Sequence, residues 1–405
     1  MIEKQLLQIN TVINSGSTGR IAEEIGLKAI SDGWKSYIAY GRNNRPSKSY
    51  KIKIGNNWDV TWHGVETRIL DRHGFASKDA TRKLVEQIQI IKPNIIHLHN
   101  IHGYYLNFEI LFNYLKSAKI PVVWTLHDCW PITGHCTYFS FIECNKWKTH
   151  CEKCPQKKEY PSSYWVDNSY NNFKFKQKIF TSVENMTIIP VSNWLAEIIK
   201  NSFLNKYPTK VINNGIDLNT FRPMNIDKVK MKYNLNDKFV LLGVANVWDR
   251  RKGLEDFIKL GNHLKEDEVI ILVGLTKKQI NCLPHNIIGI THTENVQELT
   301  ELYSAGNVFI NPTWEDNYPT TNLEAISCGT PVITYNTGGS PEAISSETGF
   351  IVEKGNLEEV RKAIDSIRKN VKAFYRNACR KKAIHMFNKE DRYAEYIQLY
   401  EEILS

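Results

Sequence analysis

Residues Trp314 to Thr330 read WEDNYPTTNLEAISCGT and place two carboxylates, Asp316 and Glu324, around a short irregular piece. Between them lie Asn317, Tyr318, Pro319, Thr320 and Thr321, which lead into what reads as a helix start. A helix N-terminus presents free N–H groups and a partial positive charge, which suits phosphate. Carboxylates beside it can accept hydrogen bonds from vicinal hydroxyls. Phosphates next to hydroxyl pairs describe a sugar nucleotide. The blander alternative is an acidic residue that only complements the helix dipole.

Other residues could share that chemistry. The stretch VANVWDRRKGLEDF carries Arg250, Arg251 and Lys252 between an apolar run and a helical one. Cationic side chains there could stabilise a departing diphosphate, or simply form a solvated basic turn. No D-x-D pair occurs to hold a divalent metal on that diphosphate. NSGSTGR (14–20) puts Gly16 and Gly19 in a small-residue turn, where a ligand could approach the backbone. Its alternative is a tight turn with Ser17 or Thr18 as helix N-cap. NIIHLHNIHGYY brings His97, His99 and His102 to one strand end, with His97 and His99 on one face by period two. TLHDCW does the same for His127 and Asp128. Such histidines could hydrogen-bond a polar ligand, could bind zinc, or could serve the fold alone.

Cys136, Cys144, Cys151 and Cys154 cluster within a Lys-, Trp- and Tyr-rich excursion over 129–160, ending in C-x-x-C. Four thiols with a closing C-x-x-C point to a structural zinc, with His135 or His150 as substitute ligands. Disulfides are disfavoured by the cytoplasmic location expected below.

The elements that must position these groups alternate. KQLLQINTVI, SYIAYGR, NIIHLHN, PVVWTLHD, TIIPVSN, KVINNGI, KFVLLGVAN, EVIILVG, IIGIT, VFINP and PVITY read as buried strands. Helical stretches fall between them, among them 19–30 and 78–92. Strands alternating with helices predict an α/β protein with parallel sheets covered on both faces. The series is too long for one sheet. The polar stretch over 217–235 lacks a clear apolar strand, so the interdomain hinge is placed there, giving domains 1–216 and 217–385.

The chain has 405 residues, a net charge of +9 and 42% hydrophobic residues, enough for two globular cores. The start MIEKQLLQIN lacks a signal-peptide profile and no apolar run spans a bilayer, so a cytoplasmic protein is expected. The positive charge favours nucleotides or an anionic membrane surface. Basic residues are dispersed and no nucleic-acid motif occurs, so nucleic acid is not expected as a partner.

Taken together, WEDNYPTTNLEAISCGTPVITYNTGGSPE, VINNGIDLNTFRP and RKGLEDF resemble the retaining glycosyltransferases of family 4, which have the GT-B fold. STGRIAEEI, DRHGFASK, IIHLHNIHGYYLN and WTLHDCWPITGHC are similar to the branch that builds bacterial exopolysaccharide of the colanic-acid type. The resemblance implies two Rossmann-like domains facing a cleft, the second binding a nucleotide-sugar and the first an acceptor. It also implies a final helix, within 386–405, crossing back to the first domain.

The family's E-x7-E motif falls on Asp316 and Glu324. The resemblance gives Glu324 the ribose hydroxyls and Asp316 the donor sugar, with Glu315 as a rival for that contact. Backbone groups over Tyr318–Asn322 would meet sugar and phosphates. Lys252 matches the family's diphosphate lysine. The matching arginine position falls near Asn246, leaving Arg251 as substitute. His127 matches the histidine that approaches the donor sugar. Gly16 and Gly19 match the glycine loop, and Thr291 lies where the base is held largely through backbone. His99, His102 and Tyr104 fall on the acceptor side.

What is implied is a hexosyl transfer with retention, needing no catalytic cofactor. The donor would be a UDP- or GDP-sugar and the acceptor a lipid-linked oligosaccharide at the inner membrane face. A different GT-B enzyme, such as an epimerase or phosphorylase, and a non-catalytic sugar-nucleotide-binding protein are the alternatives.

Overall fold

The structure, a computed structural model, describes residues 3–370 and 372–405. It falls into two compact units, Met1–Asn213 with Arg392–Ser405, and Asn214–Asp391. These divisions lie a few residues from the 216/217 and 385/386 boundaries of the sequence analysis. The polar stretch over 217–235 lies inside the second unit, where it forms a short helix, Asp227–Lys232, with Val229 buried.

The first unit is built on a sheet of β1 (Gln5–Val12), β2 (Lys35–Arg42), β3 (Tyr50–Lys53), β4 (Ile95–Leu98), β5 (Val122–Leu126) and β6 (Met186–Pro190). Its order is β3-β2-β1-β4-β5-β6, and every pairing is parallel. A strand's side chains alternate between faces, and here both faces are covered. Leu7, Ile9, Ile96, Leu98, Trp124 and Leu126 enter one core. Their neighbours Leu6, Ile95 and Val123 enter another, against Ile21 and Ile25 of the Gly16–Ser31 helix.

The second unit repeats the plan with β7 (Phe239–Val244), β8 (Glu268–Val273), β9 (Ile287–Ile290), β10 (Val308–Asn311), β11 (Val332–Tyr335) and β12 (Gly349–Val352). The order is β12-β11-β10-β7-β8-β9, again all parallel.

Three expectations change. KVINNGI is not a strand. Lys210 and Ile212 each donate one hydrogen bond to the β6 side, at 3.1 and 3.3 Å, and the polar Asn213–Asn214–Gly215 that follows leaves the sheet. The first helix begins at Gly16 rather than Gly19, so the glycine motif lies within its first turn. Ser15 is its N-cap, in place of Ser17 or Thr18, and makes no side-chain cap.

The Lys389–Leu404 helix shows how the end of the chain is fastened to the first sheet. Tyr393, Tyr396, Ile397 and Tyr400 recur at helical spacing and are buried in the core that holds Leu6 and Ile95. Tyr400 Oη lies 2.6 Å from His97 Nδ1, and Thr125 Oγ1 donates to Tyr396 Oη at 3.1 Å. His97 Nε2 is 2.8 Å from Thr125 Oγ1. Since Thr125 gives its proton to Tyr396, His97 must donate through Nε2 and accept from Tyr400 through Nδ1. Tyr400→Phe would strip a fully buried acceptor of its partner. The expected cost is about 1–3 kcal/mol, read as a lower urea midpoint with an unchanged slope.

Candidate active site

In the second sheet the order reverses between β7 and β10. The chain leaves β7 toward β9 on one side and returns from β10 toward β12 on the other. Loops after such a pair open a crevice at the strands' carboxyl ends, where open α/β sheets bind ligands. The β7 loop carries Asn246, Arg251 and Lys252, and the β10 loop carries Glu315 to Pro319.

The two loops are joined by charge. Lys252 Nζ donates to Asp316 Oδ2, and Arg251 Nη1 donates to the Glu315 carbonyl at 2.7 Å. Asp316 is 8% exposed. Burial alone would favour its neutral form. Lys252 and then Arg251 outweigh that, with the Asn317 N–H donating to Oδ1 at 3.0 Å, and hold the carboxyl below its ordinary range. Glu315, the rival claimant, is fully buried, so Asp316 is the acidic side chain that meets Lys252.

Backbone geometry holds the loops in place. Gly253 follows Lys252 at φ +74, and a Cβ there would lie 2.2 Å from the Pro312 carbonyl oxygen. Gly338, at φ +58, would place one 2.0 Å from the Asp316 carbonyl oxygen. Neither position admits a side chain. Gly338 belongs to NTGGSPE, where spacing alone gives it no role; its place against the Asp316 backbone does.

The helix after the acidic loop, Thr320–Ser327, begins at Pro319 with no side-chain cap. Asn322, in its first turn, accepts from Asn311 Nδ2 at 2.8 Å and donates to Ser340 Oγ at 3.1 Å, fixing the helix start between β10 and the turn after β11. Glu324 is nearly buried, and Tyr303 Oη donates to its Oε2 at 2.8 Å. Tyr303 was missed in the sequence because it sits on a helix before β10, with no spacing that ties it to Glu324. Asn246 is exposed beyond β7 and lines an open groove with Trp248, Gly274 and Gln279. Thr291 follows β9, its Oγ1 3.1 Å from His292 Nδ1.

The first sheet reverses between β1 and β4. Gly16 follows β1 at φ +61 with open space where a Cβ would stand. Gly19 instead packs on the strand, a Cβ there lying 2.9 Å from Val12 Cγ2. After β4 and β5 come the histidines. Gln8 Nε2 donates to the Ala22 carbonyl at 2.8 Å, which leaves its Oε1 to accept from His99 Nε2 at 3.0 Å. His99 Nδ1 is then a lone pair, and His127 Nε2, 3.2 Å away, must donate to it. His127 is therefore held as the Nε2–H tautomer with Nδ1 as an acceptor. Burial lowers its pKa to about 4, against a smaller opposing pull from Asp128. His99 is 1% exposed and lies between Gln8 and His127. Gln8 was missed, although a glutamine inside an apolar strand run is itself a signal.

His102 Nε2 is 2.8 Å from Asp128 Oδ2, and its Nδ1 is 3.2 Å from Tyr160 Oη. Tyr104, at φ +69, has the Arg42 and Arg68 guanidiniums over its ring at 5.9 and 5.6 Å. These groups make a polar, cationic wall suited to a hydroxylated ligand.

The cysteine excursion departs from expectation. Cys136, Cys144, Cys151 and Cys154 line one small apolar pocket with Phe139 and Trp147. Among the described residues, however, no group of three or more His, Cys, Asp or Glu side chains is arranged to hold a metal ion. The four thiols expected to hold a structural zinc are not gathered as a ligand set. The interaction between the Cys136 and Cys154 thiols lowers the pKa of Cys154 to about 7 and raises that of Cys136. His135 is taken by Asp71, and His150 is half exposed beside Glu152.

His127 and His63, lowered to about 4 and about 3, are neutral in the fold, whereas an unfolded histidine titrates near 6.5. Below pH 6.5 the unfolded chain binds more protons, so stability falls as pH drops from about 6.5 toward 4. Each group contributes up to about 1.4 kcal/mol per pH unit in that window. Nitrogen-15 spectra should show His127 neutral at pH 5.5 with its proton on Nε2. Gln8→Met should release that tautomer preference, and an Nδ1–H form in the unaltered chain would contradict the relay.

Residues 31–220 match the family model described as Glycosyltransferase Family 4, and residues 238–370 match Glycosyl transferases group 1. WcaC of Escherichia coli (strain K12), named as a colanic acid biosynthesis glycosyl transferase, is 22% identical over 366 residues, covering 86% of this chain and 87% of its own. The N,N'-diacetylbacillosaminyl-diphospho-undecaprenol alpha-1,3-N-acetylgalactosaminyltransferase of Campylobacter jejuni is 25% identical over 222 residues, 51% of this chain and 56% of that one. The crystal structure of Anabaena Alr3699/HepE in complex with UDP and glucose superposes with a TM-score of 0.71 at 15% identity, over 99% of this chain and 100% of that one. The chain belongs to the family 4 glycosyltransferases and has the GT-B fold.

Proposed function

We propose that this glycosyltransferase moves a hexose-type sugar, with retained anomeric configuration, from a UDP- or GDP-sugar to a hydroxyl of a lipid-linked oligosaccharide. The setting would be the synthesis of capsule, exopolysaccharide or O-antigen. The observation that carries this reading is the Lys252–Asp316 pair at the β7/β10 reversal, beside the uncapped helix that holds Glu324. Supporting the polymer and acceptor classes are the names of the E. coli and Campylobacter relatives. Supporting a nucleoside-diphosphate donor is the UDP and glucose named with the Anabaena protein.

In this reading Glu324, oriented by Tyr303, accepts from the ribose hydroxyls. Asp316 accepts from a hydroxyl of the donor sugar, Asn317 and Tyr318 line that contact, and the Thr320 and Thr321 amides face phosphate. Lys252 has three donors, so it can keep Asp316 while meeting a phosphate oxygen, and Arg251 adds a second positive charge. As the C1–O bond to the diphosphate breaks, a bond forms on the same face of C1 to the acceptor oxygen. The acceptor's proton passes to the departing phosphate oxygen, so no protein nucleophile or metal is required by the balance. His127 offers Nδ1 as acceptor to a hydroxyl of the transferred sugar. His102 and Tyr104 serve the acceptor.

Lys252→Ala should cut turnover about 10²–10³-fold, the effect of losing one preorganised electrostatic donor. Glu324→Ala should raise KM for the donor, with both variants melting as folded proteins. Full turnover of a matched donor by both would end the assignment. A panel of UDP- and GDP-sugars should yield one that raises the melting temperature, equivalent to about 2.7 kcal/mol at a hundredfold excess over Kd. Nucleoside diphosphate released only when acceptor is present marks a transferase. Conversion of the donor without acceptor would favour an epimerase.

A further inference from the structure

A surface helix ordinarily buries its apolar stripe and shows its polar one. The Asn57–Leu70 helix does the reverse. Trp58, Trp62, Val65 and Ile69, spaced four, three and four apart, all point to solvent, the two tryptophans 83% and 66% exposed. The buried positions are His63, Gly64 and Thr67.

The inversion is built. His63 Nδ1 lies 2.8 Å from Ser77 Oγ, and its Nε2 accepts from the Gly74 N–H at 2.9 Å. Thr67 Oγ1 donates to the His63 carbonyl at 2.8 Å. A capping box of Asn56 and Asp59 fixes the helix start. The opposite end is extended by Tyr164, Trp165 and Val166, all exposed, whose backbone is tied on by Tyr164 N donating to the Arg68 carbonyl at 2.9 Å. The stripe from Trp58 to Ile69 runs about 16 Å at helical rise before this loop lengthens it.

We propose that this helix and loop form a membrane-docking face seated in the headgroup region of a bilayer containing anionic lipid. Composition and charge both select a bilayer as occupant. Indole and phenol rings favour the boundary between headgroup and acyl chain. The helix's carboxylates are engaged, Asp59 by the Asn56 N–H and Glu66 by Arg72 at 3.5 Å. At the loop end Arg68 is exposed and Lys157 Nζ donates to the Trp165 carbonyl at 3.4 Å, so both cations stand where they would meet anionic headgroups.

Position adds a third argument. On the buried side of the same helix, His73 Nδ1 lies 3.3 Å from Thr67 Oγ1, and His73 Nε2 accepts from the Gly103 N–H at 3.1 Å. Gly103 separates His102 from Tyr104, so the docking helix supports the acceptor-side loop on its other face. The inference deepens the lipid-linked acceptor reading, yet its test uses neither donor nor acceptor, so each can fail alone.

The full chain should co-sediment with phosphatidylglycerol-containing vesicles, its tryptophan emission shifting to the blue and quenched by brominated lipid. The triple substitution W58S/W62S/W165S touches only exposed rings. It should weaken vesicle binding tenfold or more while leaving circular dichroism and melting temperature unchanged. Vesicle binding by that variant equal to the unaltered chain's would overturn the proposal. So would an unaltered chain that ignores vesicles and instead forms a dimer the substitution abolishes. Equal affinity for phosphatidylcholine vesicles would overturn the anionic-lipid requirement.

Discussion

An aspartate withdrawn from water stays ionised only where something compensates its lost hydration. In the second unit that compensation is Lys252, and much of the local architecture serves to keep it opposite Asp316. The β7 loop must turn tightly enough at Gly253 to pass the Pro312 carbonyl. The β10 loop must let Gly338 lie against the Asp316 backbone. Asn322 ties the following helix, which carries Glu324, to β10 and to the turn after β11. A positive charge already paired before any phosphate arrives does not collapse onto a wrong partner. It also needs little rearrangement to share a donor with an incoming diphosphate. The pair therefore makes a protein-only alternative to a metal ion physically reasonable at this position.

The first unit meets the same difficulty with neutral groups. Its histidines are buried without carboxylates close enough to charge most of them, so each must find both a donor and an acceptor. Gln8, His99 and His127 settle this as a relay in which one amide orientation determines two tautomers in sequence. His97 does it through Thr125 and the tyrosines of the last helix. The fold and the site are coupled here. The helix that closes the first core also fixes the face of β4 on which His99 stands.

Much of this was legible in advance where local signals agreed. VFIN followed by an acidic loop, a helix and VITY forms a buried strand, loop, helix and strand because apolar runs, proline and Gly329 all point the same way. Elsewhere the signal was weaker. YKIK at β3 is an exposed edge with little apolar content, and GFIV at β12 is short and half covered, so neither stood out. KVINNGI had strand-like residues but lost its partner once Asn213 to Gly215 turned away. The cysteine cluster had the spacing of a metal site, yet spacing cannot say whether four thiols meet at one point or only line the same pocket. Tyr303 was invisible for a related reason, and Gln8, though it stands out as a glutamine in an apolar run, gave no hint of its partner. Each meets a residue distant in sequence, Tyr303 from a neighbouring helix and Gln8 through the pairing of β1 with β4.

The Asn57–Leu70 helix is the case where local rules and the observed packing conflict most openly. Its pattern is amphipathic, but the side that a soluble protein would bury is the side turned outward. Conflicts of this kind raise the free energy of a water-soluble fold, and they persist where function needs them. The inward face cannot be made apolar, because His63, Thr67 and His73 are what hold the loop around Gly103. The outward face is under no such requirement from the fold. Exposed serines or lysines there would leave the inner network intact and would improve solubility. That the outward positions are instead Trp58, Trp62, Val65 and Ile69 is what a constraint from outside the chain, from the surface the protein works against, would select.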